Sequence, residues 1–414
     1  MKNLGAKLAL LKKTSAAANK APEVQAKPRQ DYQTDVRLKS VLEGELEPTE
    51  SGDIFVVRRH YPLSQRYGRT RLEGSLGMPV TLLKDLYQDL DGFQMSRSLF
   101  FDTETTGLAG GSGTYAFLVG IGYFEKGELV TEQLLMRDHG DEPALLSHLS
   151  KRLEGKNSLV SFNGRSFDAQ LLSTRYQMHR RQAPFADLAH LDLLHLCRRL
   201  WRWSRLPDCR LETLETRVLG APRHQDVPGW MIPDMFFDFL RDRNPVPLKG
   251  VIEHNRRDLI AMVALCSHLG SLLNHEVEPD EPHLCLGLAR LWAVLEQCEK
   301  SDHLFKQALT DRRLGEEARE KGLIHWARDL KRRKMGEKAA LLWRKTLTHY
   351  PGNLEATVEL AKWLEHGQRD FYSALQLVEG GLCDRRLTSV RRRELEHRAS
   401  RLRRRLAVEA STGQ

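Results

Sequence analysis

Two acidic residues that could bind a metal ion stand one position apart in the chain. Asp102 and Glu104 follow the apolar run over residues 99–101. In a strand, alternate side chains point to the same side, so both carboxylates would share one face of a sheet. Neighbouring carboxylates repel each other unless a cation lies between them, and hard divalent cations prefer oxygen ligands. The pair therefore indicates either a divalent-cation site or two solvated acids at the end of a strand.

Two more acids and a histidine occur where helices are predicted. Asp168 stands at the start of one predicted helix, which runs past Tyr176. His254 and Asp258 are four residues apart in a second helix, predicted over residues 248–269, so they lie on one face of it. Each acid alone is also explained as a surface residue or a helix cap, and His254 as a surface or core residue. Their chemistry depends on whether the fold brings them to the strand that carries the first two acids.

The elements that would position these residues form an α/β pattern. A strand, a hairpin, a helix and two further strands are predicted over residues 99–104, 115–137, 141–153, 158–162 and 190–195. This meander order differs from that of a doubly wound dinucleotide-binding sheet. The glycine-rich loop over 107–113 lacks the lysine of a phosphate-binding loop and joins two strands, so we expect a flexible turn. The proline-interrupted stretch around Trp230 is expected to be a loop.

The chain of 414 residues is long enough for several domains. After residue 283 the pattern is helical, and helical hairpins at intervals near 34 residues indicate tetratricopeptide-like repeats, with an ordinary helical bundle as the alternative. The predicted fold class is an α/β domain followed by an all-α C-terminal domain. We predict a disordered basic arm, a small β-containing extension, the α/β domain, the helical repeats and an arginine-rich helix with a tail, over residues 1–35, 36–97, 98–273, 284–380 and 381–414.

Composition places only broad limits on function. The 64 Lys and Arg residues against 55 Asp and Glu residues give a net charge of +9, which suits a polyanionic partner. The six cysteines show no paired spacing, which argues against a zinc site and favours a reducing cytoplasm. The N-terminal apolar stretch, residues 8–11, is too short for a signal peptide, and no membrane span is expected.

Three motifs resemble, in order, those of the DEDD exonucleases. They are Asp102-x-Glu104-Thr-Thr-Gly, Asn163-Gly-x-x-Phe-Asp168 and His254-x-x-x-Asp258. That superfamily has the ribonuclease H-like fold, which the resemblance implies for residues 98–273. One position departs from the pattern: the subgroup with this four-residue offset has Tyr where His254 stands. The departure leaves the role of His254 less defined than that of the four acids.

The similarity extends beyond these motifs. The segment over 101–108, Asp192-Leu-Leu-His195, Arg198-Arg-Leu-Trp201 and His254-Asn255, followed by helical repeats, resembles YprB-type bacterial exonuclease proteins over most of residues 50–375. The resemblance implies a metal-dependent nuclease in the bacterial cytosol. It also implies a role in DNA repair, with a helicase as a candidate protein partner.

Phosphodiester hydrolysis gives each of the five residues a chemical role. Two divalent cations, Mg²⁺ or Mn²⁺, supply a hydroxide nucleophile and stabilise the leaving oxygen, and four carboxylates roughly balance their charge. We expect Asp102 to bridge both ions, and Glu104 and Asp168 to complete one coordination shell or to hold it through water. Asp258 would bind the ion nearest the attacking water, which His254 would orient or deprotonate.

Substrate contacts are predicted from the neighbouring polar and aromatic residues. Six residues are candidates for gripping a terminal nucleotide, contacting phosphates or stacking on a base: Thr105, Thr106, Asn163, Arg198, Arg199 and Trp201. The alternative places Trp201 in the core and leaves the arginines solvated. The sequence thus predicts a 3′–5′ exonuclease that favours DNA over RNA. An RNA exonuclease with the same chemistry and a non-catalytic repeat scaffold remain as alternatives.

Overall fold

The computed structural model describes residues 32–412 except for 88–89, 108–112, 203, 205 and 385–386. Most of the predicted basic arm and most of the glycine-rich loop therefore lie outside the described residues. Residues 32–35, which were assigned to the arm, instead begin the first helix, α1 (Tyr32–Leu42).

A seven-stranded mixed sheet forms the centre of the α/β domain. Its strands lie in the order β1-β2-β7-β6-β5-β8-β9. Strands β5, β8 and β9 are mutually parallel, and the other neighbouring pairs are antiparallel. The strand bounds are β1 Glu45–Thr49, β2 Gly52–Pro62, β5 Ser98–Thr105, β6 Ala116–Glu125, β7 Glu128–Leu135, β8 Ser158–Ser161 and β9 Ala189–Asp192; a separate two-stranded ribbon comprises β3 Arg66–Tyr67 and β4 Thr70–Arg71.

The N-terminal strands are part of this sheet and not a layer attached to it. Strand β2 pairs with β7 from Phe55 opposite Leu135 to Pro62 opposite Glu128. The apolar run over residues 54–57 is entirely buried. Because the choice of a pairing strand is a long-range property, the local β-like pattern predicted these strands but not their place in the sheet.

Two other segments differ from the predicted secondary structure. The strand predicted over 190–195 ends at Asp192, whose carboxylate accepts a hydrogen bond from the Leu194 amide and caps a helix. The stretch after Trp230, predicted as a loop, contains a helix with Pro233 in its first turn, where a missing N–H costs nothing.

The helices of the α/β domain are α2 Glu142–Leu153, α3 Asp168–Met178, α4 Leu193–Trp201, α5 Leu211–Leu214, α6 Ile232–Asp242 and α7 Leu248–Leu273.

Helix α7 is held against the sheet at the position of Asp102. Gly120 of β6 lies opposite Asp102 in the strand register. A Cβ atom built on Gly120 would lie 1.9 Å from Oδ1 of Asn255, which is a fully buried residue of α7. The missing side chain at residue 120 therefore allows α7 to approach the central strand.

Seven α-helices follow in the described part of the chain after residue 281. They are α8 Pro282–Val294, α9 Cys298–Thr310, α10 Glu316–Arg332, α11 Gly336–His349, α12 Leu354–Trp363, α13 Phe371–Leu382 and α14 Ser389–Thr412. Alternate helices begin at residues 282, 316 and 354, so the interval is 34 and then 38 residues. Their tetratricopeptide-like character stays a prediction. Among the described helices, none combines the length and apolarity that crossing a bilayer requires.

One apolar core joins the α/β domain to these helices. Leu200 and Trp201 of α4 belong to the same cluster of buried residues as Leu284 and Trp292 of α8 and Phe305 of α9. The two regions are therefore packed together and not merely linked through residues 274–281.

We predict that Gly120→Ala destabilises the fold by about 1–3 kcal/mol, the usual cost of overpacking, because the buried Asn255 amide must move. Gly122→Ala is the matched control: it lies in the same strand, and its Cβ would have its nearest neighbour at 3.5 Å. Urea denaturation of the two variants measures the difference. Equal stabilities would contradict the proposed role of Gly120.

Candidate active site

Asp102 lies at the centre of the candidate site, on β5. Its Oδ2 accepts a hydrogen bond of 2.9 Å from Nδ2 of Asn255. Burial and then the negative charges of Asp258, Glu104 and Asp168 raise its pKa well above the ordinary value. Glu104 of the same strand and two acids from distant parts of the chain, Asp168 and Asp258, are therefore close enough to Asp102 to repel its charge.

Glu104 lies two residues further along β5, and its side chain is 13% exposed. The strand register shifts between Glu104 and Thr105, which marks an irregularity at the end of β5. Burial, together with the charges of Asp258, Asp168 and Asp226, raises the pKa of Glu104 well above its ordinary value. The expected pairing of Asp102 and Glu104 near one strand end agrees with this geometry.

Asp168 is the first residue of α3 and is buried. Its Oδ1 accepts a hydrogen bond from the hydroxyl of Thr103, the residue between Asp102 and Glu104. A Cβ on Gly164 would lie 3.1 Å from Oδ2 of Asp168, so this loop passes close to the carboxylate. Burial raises the pKa of Asp168 to about 6, although the Thr103 hydrogen bond opposes the change.

His254 and Asp258 lie one turn apart on α7 and face the same acids. Nε2 of His254 is 3.7 Å from Oδ2 of Asp258 and 4.0 Å from Oε1 of Glu104. The structure therefore brings His254 and the four acids together, and the electrostatic coupling among them follows from this proximity.

Asp226 orients the His254 ring, a contact that the sequence analysis did not identify. Nδ1 of His254 lies 3.0 Å from each of the two carboxylate oxygens of Asp226. An ionised carboxylate can only accept, so Nδ1 carries the proton of the neutral ring. Burial alone would raise the pKa of Asp226, but hydrogen bonds from Arg223 and His254 lower it. In the neutral ring, Nε2 is then the nitrogen without a proton, and it faces Glu104 and Asp258.

Arg223 is the second residue that the sequence analysis missed. Its guanidinium donates hydrogen bonds to Asp258, to Glu215 and, at 2.9 Å, to Oδ2 of Asp226. The side chain is only 4% exposed. Arg223 thus places a buried positive charge beside the acids and joins the segment before α6 to helix α7.

No strong sequence signal marked this pair. Arg223 and Asp226 stand in a stretch rich in polar residues and prolines, which favours a loop without a specific role. Their partners lie 28 to 35 residues further along the chain. The three-residue spacing of opposite charges was the only local indication that the two side chains share a site.

Three of the six predicted substrate contacts lie at the edge of the site. The Thr105 hydroxyl donates to the carbonyl of Gly107, and the Thr106 hydroxyl accepts from the amide of Tyr115 at 3.0 Å. Both hydroxyls therefore also hold the ends of the loop after β5. Asn163 is exposed, and its backbone N–H donates a hydrogen bond of 2.8 Å to Oδ1 of Asp192.

The other three candidates lie on α4. Arg198 is exposed and Arg199 is partly buried. Trp201 is only 4% exposed, and its ring stacks on His268 at a centroid distance of 6.3 Å. The prediction that Trp201 stacks on a base is wrong for this structure, because the hydrophobic face of α4 is buried against α7 and α8. Trp201 therefore occupies the core position that the alternative described.

The donor set suits a hard divalent cation. Carboxylate oxygens are the preferred ligands of Mg²⁺ and Mn²⁺, and the raised pKa values of Asp102 and Glu104 reflect repulsion that a cation would relieve. Within the described part of the chain, no three acidic, histidine or cysteine side chains are already grouped around one point. Arg223 engages one oxygen of Asp258 and Thr103 engages one oxygen of Asp168, so each carboxylate keeps its other oxygen for an ion.

Comparison with known proteins agrees with the architecture. Residues 99–270 match the ribonuclease H superfamily, which identifies this region as a domain of the nuclease type. Nucleases of this superfamily generally use divalent metal ions. The chain is also 30% identical, over 97% of its length, to the uncharacterized protein YprB of Bacillus subtilis strain 168, 99% of which is covered. The chain belongs to the family of that protein.

We predict that Asp102→Asn stabilises the metal-free protein, because it removes one of several repelling buried charges. A gain on the order of 1 kcal/mol corresponds to a rise of about 2–4 °C in Tm for a domain of this size. Addition of Mn²⁺ should raise the Tm of the wild type more than that of the variant, since only the wild type keeps its binding site intact.

Differential scanning calorimetry in EDTA and in Mn²⁺ measures both effects. Asp91→Asn is the control, because the Asp91 side chain is 90% exposed. A lower Tm for metal-free Asp102→Asn would contradict the view that repulsion dominates at this position.

Proposed function

We propose that the chain is a metal-dependent 3′–5′ exonuclease of the DEDD type that favours DNA over RNA. The observation that carries the proposal is the convergence of four acids beside β5: Nε2 of His254 lies 3.7 Å from Asp258 and 4.0 Å from Glu104, and Thr103, between Asp102 and Glu104, donates a hydrogen bond to Asp168. Together with the ribonuclease H-like domain, this arrangement supports phosphodiester hydrolysis more directly than a scaffold role.

Asp102, Glu104, Asp168 and Asp258 would hold two divalent cations, Mg²⁺ or Mn²⁺. Bound there, the ions would supply charge stabilisation for the phosphate and the leaving oxygen. The four carboxylates would hold the ions at the end of β5, where α3 and α7 meet the sheet. Asn255 fixes one oxygen of Asp102 and leaves the other available.

His254 would accept the proton of the attacking water. Its Nδ1 is held by Asp226, so the lone pair of Nε2 faces the acids. A general base must present an unprotonated atom within reach of the water, and this ring is held in the tautomer that does so. Asp226 then acts as a positioning residue, because it touches His254 and not the reacting atoms.

Other residues and the C-terminal helices would contact or position the substrate. In this proposal Thr105, Thr106 and Asn163 would contact the terminal nucleotide, and Arg198 and Arg199 would contact phosphates. The C-terminal helices, as tetratricopeptide-like repeats, would position the nucleic acid or a protein partner such as a helicase in DNA repair.

We predict that Asp102→Asn and Asp258→Asn each reduce nuclease activity by at least about 10³-fold, since each removes a ligand charge that the reaction requires. The assay compares DNA and RNA oligonucleotides, labelled at either end, in Mn²⁺. Mononucleotide release from the 3′ end of DNA by the wild type and the Asp91→Asn control is expected. Faster degradation of RNA would change the substrate assignment, and full activity in Asp258→Asn would refute the site.

We predict that His254→Ala lowers kcat by about 10²-fold and that Asp226→Asn lowers it by about 10-fold, because the first removes the base and the second only its orientation. Both variants should keep the Mn²⁺-dependent rise in Tm. His195→Ala, at an exposed position on α4, is the control. Loss of Mn²⁺ binding in His254→Ala would instead make His254 a metal ligand.

A further inference from the structure

An arginine-lined groove lies where the α/β domain meets the first C-terminal helices. The groove has a volume of about 200 Å³ and is lined by residues of α4, α8, α9 and α10. Its charged lining residues are four arginines and one aspartate: Arg199, Arg290, Arg328, Arg332 and Asp329. Helices from both regions therefore contribute positive charge to one cavity.

A close contact between α4 and α8 forms one wall of this groove. A Cβ atom on Gly287 would lie 2.1 Å from the carbonyl oxygen of Leu200, so the backbones meet at a distance that a larger residue would prevent. Arg199 precedes Leu200, and Arg290 lies three residues after Gly287. The contact thus places two arginines from different regions on the same cavity.

The lining residues of the groove include more basic than acidic side chains. Arg328 forms an ion pair with Glu355, and Arg332 forms one with Asp329 at 2.8 Å. Arg199 and Arg290 add two more positive charges to the same lining. The groove therefore carries more positive than negative charge.

The ionisation of neighbouring groups reflects this positive potential. Burial and then the charges of Arg199, Arg202 and Arg328 lower the pKa of Arg290. Burial together with the charges of Arg290 and Arg328 lowers the pKa of His325 to about 4. An anion in the groove would relieve repulsion among these side chains.

Helix α4 connects the groove to the candidate active site. At its start, Asp192 accepts hydrogen bonds from the amides of Asn163 and Arg165, in the loop that leads to Asp168. Arg199 lies seven residues further along, about 10 Å at the rise of an α-helix. That distance is roughly the axial rise of three nucleotides along one strand of a duplex.

We infer that this groove binds backbone phosphates of the nucleic-acid strand whose end lies in the candidate active site. The inference rests on the proposed nuclease function for the identity of the ligand. Arginine is suited to this role, because its planar guanidinium contacts two phosphate oxygens at once and keeps its charge. An acidic protein segment would also be attracted, but the path along α4 to the loop of Asp168 favours the substrate strand.

The test is the double variant Arg290→Gln/Arg328→Gln, with Arg312→Gln/Arg393→Gln as the control that loses the same net charge. Arg312 and Arg393 are exposed and lie outside the groove. Binding of a fluorescent 30-nucleotide DNA is measured by anisotropy on an Asp102→Asn background, so that the result does not depend on cleavage. The groove variant should bind about 10-fold more weakly than the control. Its salt dependence should fall by about 1.4 in log–log slope for single strands.

A second measurement separates this inference from the proposed function. Hydrolysis of a small chromogenic phosphodiester by the groove variant, with Asp102 intact, should equal that of the wild type, because this substrate is too short to reach the groove. If neither protein hydrolyses it while the binding difference persists, the proposed function fails and the groove assignment stands.

Three results would overturn the inference. One is nucleic-acid affinity equal to that of the control variant. Another is loss of small-substrate hydrolysis only in the groove variant, which would assign these arginines to the integrity of the catalytic domain. A third is unchanged DNA and RNA affinity with weaker binding of a poly-glutamate probe, which would assign the groove to an acidic protein segment.

Discussion

Electrostatic repulsion among carboxylates of low exposure is the constraint on which the candidate site depends. Asp102, Glu104, Asp168 and Asp258 come from three separate parts of the chain, and burial together with the charges of neighbouring acids raises the pKa values of Asp102 and Glu104. Side chains in solution would separate under such repulsion. The fold must therefore hold them through contacts made by other groups, and the site is an arrangement imposed by the surrounding structure.

Two sets of contacts provide this support. On the sheet side, the absence of a side chain at Gly120 lets Asn255 reach Asp102, which fixes α7 over β5. On the outer side, Arg223 binds Asp258, Glu215 and Asp226 together. The first is steric and the second electrostatic, so the position of α7 is defined by independent means. The geometry of His254 depends on both, because the residue lies on α7 and its ring is held by Asp226.

Local periodicity explains which parts of this structure could be predicted from the sequence. The alternation of Asp102 and Glu104 and the four-residue spacing of His254 and Asp258 are properties of one strand and one helix, and the α/β class with a helical C-terminal region was confirmed. The place of β2 beside β7 and the contacts of Arg223 depend on segments distant in sequence, which local patterns do not encode. Trp201 shows a different limit: a helix with arginines on one face and apolar residues on the other looks the same whether its tryptophan is buried or available to a base. Burial was decided by α8, which packs on α4 from another part of the chain.

The shared core between α4 and α8 has a consequence for how the chain can be divided. Leu200 and Trp201 are covered by residues of the C-terminal helices, and Gly287 brings the two backbones into direct contact. Truncation after residue 273 would leave this apolar surface open to water and remove every lining residue of the arginine-lined groove except Arg199. The ribonuclease H-like portion is thus not an autonomous module. Expression of that fragment alone would yield a protein whose exposed apolar surface on α4 promotes aggregation.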